Sequence, residues 1–219
     1  MFGWTGTILR IDLTKGKVSR EATDPQLARD YLGARGLGGH IVRSEVDPKT
    51  DALGADNKIV FAPGPLTGTF APAAGRFDVV TKGPLNGVLA ASNSGGTFGP
   101  ELKYAGYDAL IIEGKSAKPV YLWIKDDQVE IRDASALWGH TTPDTTDLVR
   151  AETDEDAKVS CIGPAGEHLS PISTIMNEMH ETLASSSVAA RTRSVVSGVV
   201  CPQSAVASRI STSSSLIHR

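Results

Sequence analysis

The chain of 219 residues has only two cysteines, Cys161 and Cys201. Two thiols cannot complete a four-cysteine metal site, and they fit a reducing compartment better than a disulfide scaffold. Metal-ligand spacing is missing too. His40, His140, His168 and His180 are scattered, so surface or capping roles are expected of them. No apolar run approaches the roughly 18 residues of a membrane span, and no membrane partner is expected. The opening "MFGWTGTILRIDLTKGK" lacks a basic segment followed by an apolar one, so no signal peptide is read and the expected location is the cytoplasm. A surplus of positive charge is also lacking. Net charge is −3, which leaves no electrostatic footprint for nucleic acid. What remains is an ordinary soluble composition, 40% hydrophobic and 21% charged, on a chain long enough to bury a core.

The averages conceal a break. Residues 1–180 hold 21 of the 22 glycines and every aromatic side chain. Residues 181–219 hold eleven serines, one glycine, no lysine and a single acid, Glu181. That tail has no clear helical or strand period and little bulk for a core. It has no nucleophile context either, since Ser185, Ser186 and Ser187 stand beside no base.

Within the first 180 residues the pattern is one of many short strands and a few helices, an α+β chain with a strand majority. "TGTILRIDLTKGKVSRE" alternates around Thr14–Lys17 and reads as a hairpin. Asp24 is placed to cap a helix with Pro25 at its first position and Gly33 as its stop. "GLGGHIVRSEV" reads as a second helix. "NKIVFAP", "GRFDVVTK", "VLAASN" and "ALIIEG" read as strands, with "PELKYAGYD" a short helix between the last two. "KPVYLWIKDDQVEIRD" is a hairpin turning at Asp126–Asp127, and "TPDTTDLVRAET" a capped helix. "KVSCIGPAGEHLSPISTIMN" gives two strands around a Gly-Pro-Ala-Gly loop, with Cys161 a buried small hydrophobe. Trp4, Trp123 and Trp138 are expected in the core or at its rim. No internal repeat is present, and no linker precedes residue 180.

One stretch carries chemistry. Between Gly75 and Gly114 there is a single arginine, Arg76, and a run Asn93-Ser94-Gly95-Gly96. Consecutive glycines let backbone N–H groups converge on an anion. An arginine supplies a planar fork that matches phosphate, and asparagine offers both a donor and an acceptor. Arg76 and Asn93 lie at the open ends of two strands joined by "GPLNG", so an antiparallel pairing would set them together. The plain alternative is that glycines at strand ends are turns or bulges. The stretch is not a Walker loop, because no Gly-Lys-Ser/Thr follows. "GLGG" at 36–39 has the wrong spacing for a dinucleotide fingerprint.

Residues 1–180 resemble the N-terminal domain of the tungsten-containing aldehyde:ferredoxin oxidoreductases. The resemblance runs in order through "GWTGTILRIDLTKGK", "YLGARGLGG", "APGPLTGTFAPAAGR", "TKGPLNG", "ASNSGGTFGPELKYAGYDALIIEGK", "KPVYLWIKDD", "IRDASALWG", "IGPAGEHL" and "IMNEMH". It implies two β-sheets forming a base for a bis-pterin cofactor of tungsten or molybdenum. It implies that Arg76, Asn93, Ser94, Gly95 and Gly96 touch the pterin and its phosphates. It also implies a magnesium ion bridging those phosphates, with the backbone carbonyl of Asn93 as one contact. The family oxidises aldehydes to carboxylates, passing electrons through a [4Fe–4S] cluster to ferredoxin. No catalytic residue is assigned within this stretch.

The pattern departs from the family after His180. There an arginine and a glycine-rich second clamp are expected, but Glu181 follows, and a carboxylate would repel phosphate. Residues 181–219 are therefore read as an unmatched tail, disordered or the product of a reading-frame change. The cluster cysteines and aldehyde pocket belong to later domains of the family, and two cysteines cannot replace four cluster ligands. The expectation is a pterin-base domain, inactive by itself. Its complete form would use ferredoxin and a small aldehyde. The alternative is a non-catalytic pterin-binding module, working as a homodimer or with a separate catalytic chain.

Overall fold

The computed structural model describes residues 3–125 and 127–177, and the backbone of Thr182–Ala184 and Val196–Val199. The expectations for Asp126, His180, Glu181 and most of residues 181–219 lie outside the described residues. The chain runs through β1 (Thr7–Asp12), β2 (Lys17–Ala22), α1 (Pro25–Tyr31), α2 (Ala34–Glu45), β3 (Lys58–Pro63), β4 (Phe77–Lys82) and β5 (Leu89–Ser94). It continues through α3 (Phe98–Tyr104), β6 (Ala109–Glu113), β7 (Val120–Lys125), β8 (Gln128–Asp133) and α4 (Thr142–Glu152). It ends in β9 (Lys158–Ile162), α5 (Pro164–Glu167), β10 (Ile175–Asn177), β11 (Thr182–Ala184) and β12 (Val196–Val199). This is the strand-rich α+β chain that the hydrophobic pattern predicts.

Two six-stranded sheets result. The first has the order β2-β1-β6-β3-β4-β5 and the second β11-β10-β9-β12-β7-β8. Pairing is antiparallel except between β1 and β6 and between β12 and β7. The short backbone segments β11 and β12 are thus placed in the second sheet, beyond residue 180.

Strand alternation sorts the side chains into layers. Leu9, Ile11, Phe61, Phe77, Val79, Leu110 and Ile112 of the first sheet form one core with Leu122, Ile124, Ile162 and Ile175 of the second. Phe98 and Leu102 of α3 close it. Phe61, Phe77 and Phe98 pack with ring centroids 5.2 to 6.5 Å apart, within the favoured range for aromatic pairs. On the opposite face of the first sheet, Leu37, Ile41 and Val42 of α2 cover Ile8, Val60, Val80 and Ile111. On the outer face of the second sheet, Val149 of α4 packs with Tyr121, Val159 and Cys161.

The predicted caps hold in part. Asp24 accepts from the Gln26 amide at 2.8 Å and Pro25 opens α1. The left-handed residue that ends α1 is Leu32, at φ 62°, not Gly33. Gly33 instead caps α2, so one short segment ends one helix and starts the next. The Gly-Pro-Ala-Gly segment winds into the single turn of α5, because Pro164 takes a first-turn position where no N–H is needed.

Two polar clusters fasten these layers. Arg10 on β1 bonds Glu21, Glu45 and Glu113, and Lys58 bonds Glu45 and Glu113. This ties the end of α2 to the sheet beneath it, and hydrogen bonding to Glu45 holds the Arg10 guanidinium protonated. Asp108, 1% exposed, accepts from the amides of Thr5 and Gly6, from Thr23 Oγ1 and from Lys103 Nζ, at 2.8 to 2.9 Å. Burial alone would raise its pKa, but Lys103 and the two amides outweigh burial and lower it below the usual carboxylate range.

Asp108 therefore contributes stability at neutral pH that is lost as pH falls through its depressed folded pKa. Asp108→Asn leaves the Lys103 ammonium buried without a charge partner. It is expected to cost about 3–5 kcal/mol at pH 7, and the loss should shrink as pH falls below the ordinary carboxylate range, read by denaturant unfolding against pH. Neighbouring glycines of α2 make a second test. A Cβ on Gly38 would stand 2.7 Å from Val80 Cγ2, whereas one on Gly39 would meet Leu89 Cδ2 at an ordinary 3.4 Å. Gly39→Ala should stabilise the fold by up to about 1 kcal/mol. Gly38→Ala should destabilise it by about 1–3 kcal/mol. Equal melting temperatures for the two variants would contradict this packing.

Candidate functional site

The β4–β5 pairing builds the site. Its register sets Phe77 opposite Ser94 and Asp78 opposite Asn93. Arg76 precedes β4 and shares the parity of Asp78, so Arg76, Asp78 and Asn93 belong to one face, the side covered by α2. Arg76 Nη1 donates to Asn93 Oδ1 at 2.8 Å. Asn93 Nδ2 turns the other way, toward the Phe77 carbonyl at 3.2 Å and Asp78 Oδ2 at 3.3 Å. The amide of Asn93 is thus oriented by a carbonyl and a carboxylate on one side and a guanidinium on the other.

The segment from Gly64 to Gly75 folds over this face. Thr67 bolts its two ends together: its hydroxyl accepts from the Gly64 amide at 2.8 Å and donates to the Arg76 carbonyl at 2.6 Å. Gly68 N–H donates to the Ala74 carbonyl at 2.8 Å, and Tyr104 Oη donates to the Gly68 carbonyl at 2.8 Å. Between this segment, the start of α2 and the strand ends lies a cleft of about 280 Å³. Pro65, Leu66 and Ala71 to Ala74 give it an apolar wall, while Arg76, Asp78 and Asn93 give it a polar floor. Leu66 and Phe70 beside it are exposed, Phe70 by 96%.

Arg76 and Asn93, expected to act together, are brought together. Gly95 and Gly96 follow β5 directly, and Gly96 takes φ 82°. A Cβ on Gly75 would stand 2.5 Å from the Gly96 carbonyl. The two segments touch there, backbone to backbone. Ser94 is placed differently from the expectation that it lines the site. Its side chain is fully buried on the inter-sheet side and accepts from Asn177 Nδ2 at 3.2 Å. The cause is alternation: with Asn93 facing α2, Ser94 must face the core, and only its backbone is left for a ligand.

Sequence reasoning missed Asp78, Thr67 and the start of α2. Asp78 had a signal, since it stands two residues from Arg76 on a strand. Thr67 and α2 had none without the tertiary fold. Cys161 is 1% exposed, and burial pushes its thiol up to about 12, so it is no thiolate at neutral pH. Among the described residues no group of three or more His, Cys, Asp or Glu is placed to hold a metal ion. Among the described residues no helix is long and apolar enough to cross a membrane.

The donor set fits a phosphorylated group. It offers one exposed guanidinium, an oriented amide and side-chain-free backbone at Gly95 and Gly96, beside an apolar wall. The carboxylate of Asp78 is 5% exposed and lies beneath them.

Comparison with known proteins agrees with this frame. The model of the aldehyde ferredoxin oxidoreductase N-terminal domain matches residues 8–194, beyond the boundary at 180 suggested by the sequence motifs. The tungsten-containing aldehyde ferredoxin oxidoreductase of Pyrococcus furiosus is 47% identical over 191 residues, covering 87% of this chain and 32% of the relative. That of Thermococcus kodakarensis is 48% identical over the same shares. The chain thus spans about a third of the length of these relatives. The aliphatic sulfonate oxidoreductase, WOR-like subunit, of Pyrococcus furiosus is 39% identical over 64% of this chain and 22% of that protein. Among solved structures, the active-site complex BamBC of benzoyl coenzyme A reductase with 1,5-dienoyl-CoA superposes with a TM-score of 0.86. It is 37% identical, over 91% of this chain and 31% of that one. With the matched model spanning most of its residues, this chain belongs to the aldehyde ferredoxin oxidoreductase family, as a member of its N-terminal domain.

Proposed function

We propose that this chain is the pterin-holding base of an oxidoreductase that converts aldehydes to carboxylic acids with ferredoxin as electron acceptor. The observation that carries the reading is the Arg76–Asn93 pair, joined at 2.8 Å across the open end of β4 and β5 beside the cleft. The names of the relatives supply the metal, tungsten. In this reading Arg76 places its remaining N–H donors on a phosphate of the cofactor. The backbone of Ser94, Gly95 and Gly96 donates to the same phosphate or to its neighbour. Asn93 has its side chain committed to Arg76, Phe77 and Asp78, and its backbone carbonyl would hold a magnesium ion, which would offset phosphate charge. The apolar wall from Pro65 to Ala74 excludes water from one side of the group. When bound, the tungsten–pterin group supplies the redox chemistry, and the protein supplies binding, orientation and electrostatics. The [4Fe–4S] cluster and the aldehyde pocket are assigned to the part of the relatives' length that this chain does not span.

A second reading is a cofactor-holding module that works with a separate catalytic chain. It draws on the solved neighbour being described as an active-site complex. Both readings require that the chain bind pterin.

The test is to produce the full chain in cells that make tungsten or molybdenum pterin. Bound pterin is then measured as its fluorescent oxidation product, and bound metal by plasma mass spectrometry. Pterin and metal are expected with the chain, and Arg76→Gln should lower both by about tenfold, the worth of one hydrogen bond to a charged group. A folded chain that carries neither would overturn the proposal.

A further inference from the structure

Arg35 is the second residue of α2, where the helix end already carries partial positive charge. The first turn of α2 holds no acid, and its N-cap, Gly33, offers no side chain to the free N–H groups. A cation in that position works against the helix dipole unless an anion lies close to it. Arg35 Nε lies 4.0 Å from Asp78 Oδ1, an ion-pair distance but too far for a hydrogen bond.

Asp78 is anomalous in the same way. It is 5% exposed, yet Oδ1 has no hydrogen-bond partner. A buried carboxylate oxygen left unmatched costs free energy. Its other oxygen takes only the 3.3 Å contact from Asn93. Asp78 lines the cleft, and so does Ala34, the neighbour of Arg35. A carboxylate with an unused acceptor thus lines the cleft, and a guanidinium stands 4.0 Å from that oxygen. Arg76 stands on the strand side of that cleft.

We propose that Arg35 is a second anion-binding residue of this cleft, opposite Arg76, and that Asp78 is the positioning residue that aims it. This rests on the reading that the cleft receives phosphate. The planar fork of arginine can donate from Nε to Asp78 Oδ1 while its Nη atoms donate outward to an oxyanion. A phosphate seated at the uncapped start of α2 would draw Arg35 inward and satisfy both groups at once. Two guanidiniums on opposite sides suit a ligand with two anionic groups, such as a diphosphate or a pair of neighbouring phosphate monoesters, better than a single one. Asp78 reaches Arg76 through Asn93 and Arg35 directly, so one buried carboxylate orients both.

The experiment is calorimetric titration of the full chain with inorganic diphosphate at low and moderate salt, alongside thermal melting. Arg35→Gln should weaken binding about tenfold and flatten the salt dependence. Its melting point should not change, because the side chain is 70% exposed. Arg35→Lys should restore the salt dependence but not the full affinity, lacking the fork. Asp78→Asn combined with Arg35→Gln should cost less than the sum of the two alone. If Asp78→Asn fails to fold, the Arg35 variants decide the matter by themselves. Binding weakened by Arg76→Gln but untouched by Arg35→Gln would overturn the role of Arg35 and leave the pterin reading standing. A wild-type chain that does not bind diphosphate would overturn both, as would binding that neither arginine variant affects.

Discussion

The register between β4 and β5 is the constraint on which the cleft depends. With Asp78 opposite Asn93, the side chains of Arg76, Asp78 and Asn93 share the α2 side, and Phe77 and Ser94 share the core. A slip of one residue in either strand would send that strand's side chains to the opposite face. In β4 it would take Phe77 from its contacts with Phe61 and Phe98, and in β5 it would carry Asn93 into the core. The register is thus held by the aromatic cluster between the sheets, and the face that carries Arg76 and Asn93 follows from it. Packing on one side of a strand positions chemistry on the other. The flush contact of Gly38 on Val80 and the backbone contact of Gly75 with Gly96 keep α2 and the covering segment close enough to make a cleft.

Two buried aspartates on this scaffold show how burial separates structure from function. Asp108 has four donors, one of them the Lys103 ammonium, and both of its oxygens are used. It locks the segment before β1 to the start of β6. Asp78, nearly as buried, has one long contact from Asn93 and a free oxygen beside Arg35. A satisfied carboxylate needs nothing further to explain it. An unsatisfied one at the floor of a cleft, between two arginines, is best explained by a state in which a donor reaches it. The positive groups around it face outward, as an anion site requires.

Much of this was legible in the sequence, for identifiable reasons. Alternation in "TGTILRIDLTKGKVSRE" and "KPVYLWIKDDQVEIRD" gave both hairpin pairings. The Asp24–Pro25 signal gave the start of α1. The pairing of Arg76 with Asn93 followed from two strands joined by a short turn. Other features depend on tertiary contact. Leu32, at φ 62°, ends α1, and Gly33, at φ 151°, is the N-cap of α2. Ser94 sits in the same motif as Asn93, but strand parity sends it to the core. Arg35 is drawn to Asp78 only because α2 lies across β4, which local pattern does not show. The resemblance to the family carried the cofactor; composition and spacing reached only as far as an anion.

The central claim is that the open end of the β4–β5 pair, with α2 above it, is an anion-binding face. It is tested most directly by nuclear magnetic resonance of the isotope-labelled chain during titration with inorganic diphosphate. The account predicts that the Asn93 side-chain amide, the Gly95 and Gly96 backbone amides and the Arg76 and Arg35 Nε resonances move together and saturate at one affinity. Resonances that stay fixed at those five positions while the titration reaches high diphosphate, or that move only at lysines elsewhere, would contradict it.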